Sequence, residues 1–492
     1  MGSYILAIDQ GTTSSRAIIV DRCLNIKGAG QKEFPQIFPK PGWVEHNAAT
    51  IWATVESSIA AALKNAAVRP GEIAGIGITN QRETIVLWDP RTGEPLHNAV
   101  VWQCRRSAAI CEKLKKKGLT AKFTARTGLL LDPYFSGTKL AWLFENIPSL
   151  RNKAKNGNLK AGTIDSYLVF RLTGGASHVT DASNASRTLL FDINKLSWDP
   201  ELAGLLGVPL SILPEVRGNS EIYGRTKGLK CLPDGIPISG MAGDQQAALF
   251  GQACFNKGDV KCTYGTGSFI LMNTGDKAVS SRNRLLTTIA WQLKGKTVYA
   301  LEGSAFMAGA SVQWLRDGLK LIKHSCDVED LAGQVKSSEG VVLVPAFAGL
   351  GAPHWRSGAR GLISGMTRGT TAAHIARATL EAIALQNYDL IKAMEADSGL
   401  RLNQLRVDGG ACVNDLLMQI QADIMNKEIV RPRLVETTAI GAAFLAGLGV
   451  GYWPDLKEIS RTWKKDRQFS GKMEKKLRQE LINNWQLAVQ KA

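Results

Sequence analysis

The sequence predicts an α/β protein in which two domains of similar design face each other across a cleft. Three observations predict this class. Strand-like and helix-like stretches alternate along the chain, one strand–turn–strand unit recurs about half a chain later, and 492 residues exceed what one compact core usually holds. Small-molecule sites usually lie in the cleft between such domains.

The first strand–turn–strand unit lies at the start of the chain. Short apolar runs at Tyr4–Ile8 and Arg16–Asp21 flank a turn rich in Gly and Thr. Apolar residues at helical spacing predict a helix over Ala48–Ala67. Two further apolar runs, Ile73–Asn80 and Thr84–Asp89, predict a second pair of strands. We assign all of these elements to the first domain.

The unit recurs in the second half of the chain, where Val260–Tyr264 and Phe269–Met272 flank another Gly-Thr turn. Helical spacing of apolar residues predicts a further helix over His374–Ala396. Because duplication of one α/β unit gives this pattern, we place a boundary near residue 250. The expected domains are residues 1–250 and 251–492.

Composition and charge argue against several classes of protein. The eight cysteines lack C-x-x-C spacing and the six histidines are isolated, so no zinc or thioredoxin-like pattern is present. Without a membrane-length apolar run or a signal-peptide start, a cytoplasmic protein without a membrane partner is expected. The formal charge of +17 is dispersed and no nucleic-acid motif accompanies it, which favours a solvated surface that attracts anionic ligands over a nucleic-acid partner.

The turn at residues 9–16 has the composition of a phosphate-binding site. Gly11 permits a tight turn, and the hydroxyl side chains beside it offer donors in a small concavity. Asp9 could hold a hydrated Mg²⁺ ion, which prefers few protein carboxylates. The predicted phosphate-binding residues are Thr12, Thr13, Ser14 and Arg16. The alternative for this fragment alone is an ordinary hairpin with an Asp in its turn.

Two further turns offer similar chemistry. Tyr264–Ser268 repeats the Gly-Thr-Gly turn, and Val407–Asn414 follows the strand-like segment Gln404–Val407. Their glycines would let a phosphate or a flat ring approach the backbone closely. Neither a Walker loop nor a Rossmann fingerprint occurs. Three such turns in one chain favour a nucleotide ligand.

Two longer patterns lie at Tyr134–Asn146 and Gly361–Glu381. In order and spacing they resemble the two signatures of the FGGY carbohydrate kinases. The resemblance runs from Ile5 to about Trp453. It implies two ribonuclease H-like domains of the actin, sugar kinase and Hsp70 ATPase fold, which face a central cleft.

Four other segments are similar to those of family members that act on glycerol. They are Gly42–His46, Thr79–Thr84, Val101–Gln103 and Gly243–Gln252. The resemblance implies phosphorylation of glycerol to sn-glycerol 3-phosphate, with ATP and Mg²⁺ as cofactors and a homodimer or homotetramer as the assembly. A kinase for another polyol or sugar is the first alternative. An actin-like or Hsp70-like ATPase without a polyol substrate is the second.

The same resemblance implies the site residues. Arg82 and Glu83 provide a donor and an acceptor for hydroxyl groups, although an exposed ion pair of little energetic value is their alternative interpretation. The implied substrate-binding residues are Arg82, Glu83, Trp102, Tyr134, Asp244, Gln245 and Phe269, of which Trp102 and Phe269 form apolar walls. The implied nucleotide-binding residues are Thr12, Thr13, Ser14, Arg16, Thr266, Gly309, Gln313, Gly410 and Asn414.

Asp244 is the implied general base, and with Asp9 it is an implied metal ligand. A carboxylate that accepts the proton of an attacking hydroxyl is a common kinase solution. The alternative is a helix N-cap, because Asp is a preferred cap and Gln245–Phe250 has the pattern of a helix.

Overall fold

The computed structural model describes residues 2–347, 349–356 and 358–492. Its strands are β1 Tyr4–Gln10, β2 Ser14–Val20, β3 Ile26–Glu33, β4 Glu45–His46, β5 Ile73–Asn80, β6 Ile85–Trp88, β7 Ala99–Val100, β8 Lys160–Thr163, β9 Val179–Asp181, β10 Phe191–Asp192, β11 Ser197–Trp198, β12 Glu215–Arg217, β13 Gly224–Arg225, β14 Pro237–Gly243, β15 Val260–Tyr264, β16 Ser268–Gly275, β17 Leu286–Leu293, β18 Lys296–Ala305, β19 Val342–Val344, β20 Leu362–Ser364, β21 Gln404–Asp408, β22 Glu428–Pro432 and β23 Lys465–Phe469.

The α-helices connect and cover these strands. They are α1 Ala48–Ala66, α2 Ala108–Lys116, α3 Thr120–Thr127, α4 Ser136–Asn146, α5 Pro148–Lys155, α6 Ile164–Leu172, α7 Ala182–Ala185, α8 Pro200–Leu206, α9 Asp244–Gly251, α10 Gly309–Asp317, α11 Asp327–Gly333, α12 Ala372–Ser398, α13 Asp415–Met425, α14 Thr437–Gly449, α15 Leu456–Thr462 and α16 Lys475–Lys491. None of the described helices combines the length and apolarity needed to cross a bilayer.

Two large sheets share one strand pattern. The six-stranded sheet has the order β13-β14-β5-β1-β2-β3, and the seven-stranded sheet has the order β17-β18-β16-β15-β21-β22-β23. In the first, β3, β2 and β1 run antiparallel, and β5 and β14 continue parallel to β1. In the second, β18, β16 and β15 run antiparallel, and β21 and β22 continue parallel to β15. The predicted α/β class with two units of similar design is confirmed.

The predicted first hairpin is confirmed. The two strands predicted at Ile73–Asn80 and Thr84–Asp89 also occur, as β5 and β6, but the prediction that they pair is wrong. β5 belongs to the six-stranded sheet, whereas β6 joins a separate sheet of order β4-β7-β6-β8. The cause is a sharp turn between them: Glu83 has a left-handed φ of 60°, and the backbone N–H of Thr84 donates to the carbonyl of Arg82 at 2.7 Å. Arg82 and Glu83 therefore lie where the chain leaves one sheet for another.

Helix α14 joins the two halves of the chain. Although it follows the second sheet in sequence, it packs against α9 and against β1, β5 and β14 of the first sheet. The approach to α9 is so close that a Cβ atom at Gly441 would lie 1.8 Å from the backbone oxygen of Ala247. The helix pair α9–α14 is thus part of the core between the two large sheets.

We expect Gly441→Ala to destabilise the protein by about 1–3 kcal/mol, because the added methyl group must push α9 away from α14. Since α9 begins at Asp244, this predicted site residue should be displaced as well. Thermal unfolding measures the loss of stability. Gly333→Ala is the control, because a Cβ atom at this helical glycine meets nothing within 4 Å. Equal behaviour of the two variants would contradict the packing argument.

Candidate active site

Arg82 is the centre of the candidate site. Its side chain is 2% exposed, so the alternative of an exposed ion pair is wrong. Its Nη1 and Nη2 donate to both carboxylate oxygens of Glu302, at 2.5 and 2.9 Å. Its Nε lies 3.1 Å from Oδ1 of Asp244, and Nη1 also donates to Oε1 of Gln246 at 3.1 Å. Arg82 therefore connects the first half of the chain to Glu302 of the second sheet.

Glu83 and Arg187 extend this arrangement. Oε1 of Glu83 accepts from Nε of Arg187 at 2.7 Å and lies 3.8 Å from Nε of Arg82. Nη2 of Arg187 donates to Oε1 of Glu302 at 2.9 Å. The backbone oxygen of Glu83 accepts from the hydroxyl of Ser136 at 3.0 Å, which fixes the turn. We call Arg82, Glu83, Arg187 and Glu302 the ionic cluster; all four residues are buried.

The charges of the ionic cluster balance, since two arginines face two glutamates. Burial alone would raise the pKa of Glu302, but Arg187 and Arg82 overcome that effect and lower the pKa to about 2. Burial raises the pKa of Glu83, against the opposing effect of Arg82 and Arg187. The two arginines thus favour the ionised form of Glu302, and a carboxyl oxygen of Glu83 can accept a hydrogen bond from a hydroxyl group of a ligand.

Trp102 and Tyr134 form an apolar wall beside the ionic cluster. Their rings pack edge to face with centroids 5.6 Å apart, and Nε1 of Trp102 donates to Oγ1 of Thr12 at 3.0 Å. Trp102 thus links the predicted polyol site to the first phosphate turn. Phe269 lies across the cleft on β16, opposite Thr263 on one side and Ser304 on the other.

Asp244 is the first residue of α9, and Gly243 is the N-cap, so the N-cap interpretation of Asp244 is wrong. Its Oδ1 accepts from the backbone N–H of Gln245 at 2.7 Å and faces Nε of Arg82. Its side chain remains 32% exposed, which leaves it open to a substrate. The side chain of Gln245 is held by the second sheet, since its Oε1 accepts from the buried Lys261 at 2.5 Å.

The carboxylates around Asp9 fit a hard divalent cation. Burial, and next the nearby Asp244 and Glu436, raise the pKa of Asp9 to about 7. A bound Mg²⁺ ion would relieve that repulsion, and it needs only one or two protein carboxylates when phosphates and waters complete its shell. Within the described residues, no group of three or more His, Cys, Asp or Glu side chains encloses a metal position. The donor set therefore fits Mg²⁺ held together with a phosphate ligand.

The first phosphate turn is a closed hairpin, in which the N–H of Gly11 donates to the carbonyl of Ser14 at 2.9 Å. Thr12 and Ser14 are half-buried, whereas Thr13 is exposed. Nη1 of Arg16 lies 2.6 Å from a carboxylate oxygen of Glu436, the residue before α14. The turn therefore remains partly open to solvent, and Arg16, which follows it on β2, is held in an ion pair.

The second and third turns lie against each other. The N–H of Gly309 at the start of α10 donates to the carbonyl of Gly265 at 3.0 Å, and a Cβ atom at Gly309 would lie 2.7 Å from that oxygen. Gly409 has a φ of 84°, and a Cβ atom there would lie 2.5 Å from the carbonyl oxygen of Tyr264. Thr266, between them, is exposed. Glycine is needed at both contacts because any side chain would separate the turns.

The remaining predicted nucleotide-binding residues border these turns. A Cβ atom at Gly410 meets nothing within 4 Å, and the side chain of Gln313 is exposed on α10. Oδ1 of Asn414 caps α13 by accepting from the N–H of Leu417 at 2.7 Å. Thr437, next to the partner of Arg16, donates to Oδ2 of Asp408 at 2.6 Å. The start of α14 thus connects the first turn with the third.

A cavity of about 510 Å³ lies outside the cleft, between α12 and α16. Several of its polar groups are paired with the protein: Asp389 accepts from His354 at 3.2 Å and from Trp485 at 2.8 Å, and Arg356 donates to the carbonyl of Val489 at 2.7 Å. These contacts stabilise the packing of α16.

Sequence reasoning missed three buried charged residues of the site: Arg187, Lys261 and Glu302. A signal was present for Glu302, because it is a lone carboxylate within the apolar strand β18. Buried ionised groups need partners, so such a residue predicts a cation from elsewhere in the chain. No spacing rule points to Arg187 or Lys261 as that cation.

The chain is similar over most of its length to known kinases. Residues 4–251 match the N-terminal domain, and residues 260–450 the C-terminal domain, of the FGGY family of carbohydrate kinases. The chain is 57% identical to a glycerol kinase of Bdellovibrio bacteriovorus over 100% of this chain and 99% of that protein, and 59% identical to one of Trichlorobacter lovleyi with the same coverage. A crystal structure of Plasmodium falciparum glycerol kinase with ADP superposes with a TM-score of 0.93 at 40% identity, covering 100% of this chain and 98% of that one.

Proposed function

The chain belongs to the FGGY family of carbohydrate kinases, and we propose that it transfers the γ-phosphoryl group of ATP to a terminal hydroxyl of glycerol, giving sn-glycerol 3-phosphate. The observation that carries this proposal is the meeting of Arg82, Glu83 and Asp244 beside the wall of Trp102 and Tyr134. Full-length similarity to curated glycerol kinases supports it.

The roles of the side chains follow from their surroundings. Glu83 accepts from a hydroxyl group of glycerol, Arg82 donates to one, and the aromatic wall covers the carbon chain. Asp244 is exposed enough to reach the attacking hydroxyl and accepts its proton as the oxygen–phosphorus bond forms. Phe269 would close the apolar wall from the second sheet.

The three turns would hold the nucleotide. The first turn would bind the phosphates through Thr12, Thr13, Ser14 and Arg16. In the second half of the chain, the nucleotide would also contact Thr266, Gly309 and Gln313. Its adenosine part would lie beside Gly410 and Asn414. When bound, Mg²⁺ would offset the charge on the phosphate oxygens, with Asp9 and Asp244 as its protein ligands. We likewise propose a domain boundary near residue 250, with the first phosphate turn before it and the other two turns after it.

A panel of acceptors tests the proposal. ADP release is measured with glycerol, other polyols, xylulose and gluconate, and without any acceptor. We expect release that depends on an acceptor, with the highest kcat/KM for glycerol. Preference for xylulose or gluconate would assign the chain to another activity of the family, and ATP hydrolysis that no acceptor changes would make it an ATPase without a polyol substrate.

We further propose a homodimer or homotetramer in the cytoplasm. Light scattering coupled to size exclusion gives the mass in solution, against 53.2 kDa for one chain. A single peak at the mass of one chain would contradict the assembly without affecting the proposed reaction.

A further inference from the structure

We propose that Glu302 is a positioning residue for the polyol site, which acts across the cleft by holding Arg82 and Arg187 in place. The inference rests on the proposed function, because Arg82 is one of the residues that would contact glycerol. It adds a buried charged residue of the second half of the chain to a site whose other polar residues come from the first half.

The hydrogen bonds of Glu302 fix the orientation of Arg82. Both carboxylate oxygens accept from the two Nη groups of Arg82, at 2.5 and 2.9 Å, and one of them also accepts from Arg187 at 2.9 Å. A bidentate pair of this kind sets the plane of the guanidinium group. Only Nε of Arg82 then faces Asp244, at 3.1 Å.

Without Glu302, the guanidinium group of Arg82 could turn and pair with Asp244 through both Nη groups. Such a pair would occupy the carboxylate that must accept the proton of the substrate, and it would withdraw the Arg82 donors from the ligand. Glu302 therefore limits the contact between Arg82 and Asp244 to the Nε group of Arg82.

The second sheet makes a similar contact to Gln245 through Lys261. Lys261 lies opposite Leu271, and Leu271 lies opposite Glu302, so the side chains of Lys261 and Glu302 point to the same face of the sheet. Nζ of Lys261 donates to Oε1 of Gln245 at 2.5 Å, which leaves the amide N–H groups of Gln245 to face a ligand. One face of the second sheet thus contacts two substrate-binding residues of the first half.

Two substitutions of Glu302 test the proposal. Glu302→Asp keeps the charge but shortens the side chain, and Glu302→Gln keeps the length but removes the charge. Because a misplacement of about 1 Å costs about 100-fold in rate, we expect Glu302→Asp to lower kcat/KM for glycerol about 10- to 100-fold. The glycerol KM should rise while the KM for ATP stays within about twofold, a separation that general destabilisation does not produce.

Glu381→Gln is the matched control. Glu381 is also a buried carboxylate with an arginine partner, Arg377 at 3.0 Å, but both residues lie on α12. This variant should lower the melting temperature and leave both KM values unchanged. If Glu302→Gln does not fold, Glu302→Asp decides. If neither folds, Lys261→Met must raise the glycerol KM alone.

Three results would overturn the inference. The first is a kcat/KM of Glu302→Asp for glycerol within about threefold of the wild-type value. The second is an equal rise of the KM values for glycerol and ATP in Glu302→Asp. The third applies if neither Glu302 variant folds, and it is an unchanged glycerol KM in Lys261→Met. A wild-type chain that releases no ADP with glycerol would instead overturn the proposed function, and this inference with it. Wild-type activity combined with a normal Glu302→Asp variant contradicts only the role of Glu302.

Discussion

Asp244→Asn is expected to lower kcat with glycerol by about 10²- to 10⁴-fold, which is the usual contribution of a general base. Asn has the shape of Asp but does not accept the proton of the attacking hydroxyl. In the wild type, Nε of Arg82 lies 3.1 Å from Oδ1 of Asp244. The side-chain oxygen of Asn can still accept a hydrogen bond from this group, so the fold should be kept. Single-turnover measurements with saturating glycerol and ATP isolate the chemical step.

ATP binding by Asp244→Asn should stay within about tenfold of the wild-type value, since the phosphate turns are unchanged and only one metal ligand is weakened. Asp330→Asn, at an exposed position of α11, is the control and should retain full activity. If Asp244→Asn retained turnover within a few-fold of the wild-type value, Asp244 would not be the base.

The sequence was sufficient for the class of fold because each large sheet is built around a local strand–turn–strand unit. Apolar runs and Gly-Thr turns predict β1–β2 and β15–β16, and both hairpins occur. The failure at β5 and β6 has a local cause that composition does not reveal. Glu83 adopts a backbone conformation that usually requires Gly, and it is stabilised by contacts with Ser136 and Arg187 from distant segments.

The site was only partly predictable for a similar reason. Arg82, Glu83 and Asp244 lie in short segments whose spacing resembles a known family, and the structure brings them together. Glu302 and Arg187 become part of the site only through tertiary contacts. Glu302 pairs with Arg82, 220 residues away in the chain, and Arg187 pairs with Glu83, 104 residues away. A pairing of that range leaves no periodic signal, so it could not be inferred from neighbouring residues.

Arg82→Met is expected to affect both stability and activity. It removes the cation between Glu83, Glu302 and Asp244, so the two buried glutamates must share Arg187. Removal of one partner of a buried ion pair costs about 3–5 kcal/mol, because the remaining charge stays buried without compensation. Denaturant unfolding measures this loss. Glycerol-dependent ADP release should fall sharply, since the hydroxyl donor is lost as well.

The loss of stability in Arg82→Met should depend on pH, and the direction of that dependence identifies the cause of the loss. In the wild type the folded pKa of Glu302, about 2, lies below the ordinary value of 4.5, so its stabilisation is present above pH 4.5 and is lost as pH falls toward 2. In Arg82→Met, only Arg187 and Lys261 remain to oppose the effect of burial on the pKa of Glu302, and the nearby Glu83 adds repulsion. The folded pKa of Glu302 therefore rises. Protonation then relieves the unpaired charge, and the stability difference from wild type should be smaller at about pH 5 than at about pH 8.

Arg377→Met is the control for this dependence, because its partner Glu381 lies one helical turn away and outside the cleft. It should lower stability without lowering the activity with glycerol. If the stability difference between Arg82→Met and wild type were the same at about pH 5 and about pH 8, the loss would come from packing of the aliphatic stem of Arg82. The ionic cluster would then contribute geometry alone, and Glu302 would be expected to tolerate replacement by Gln.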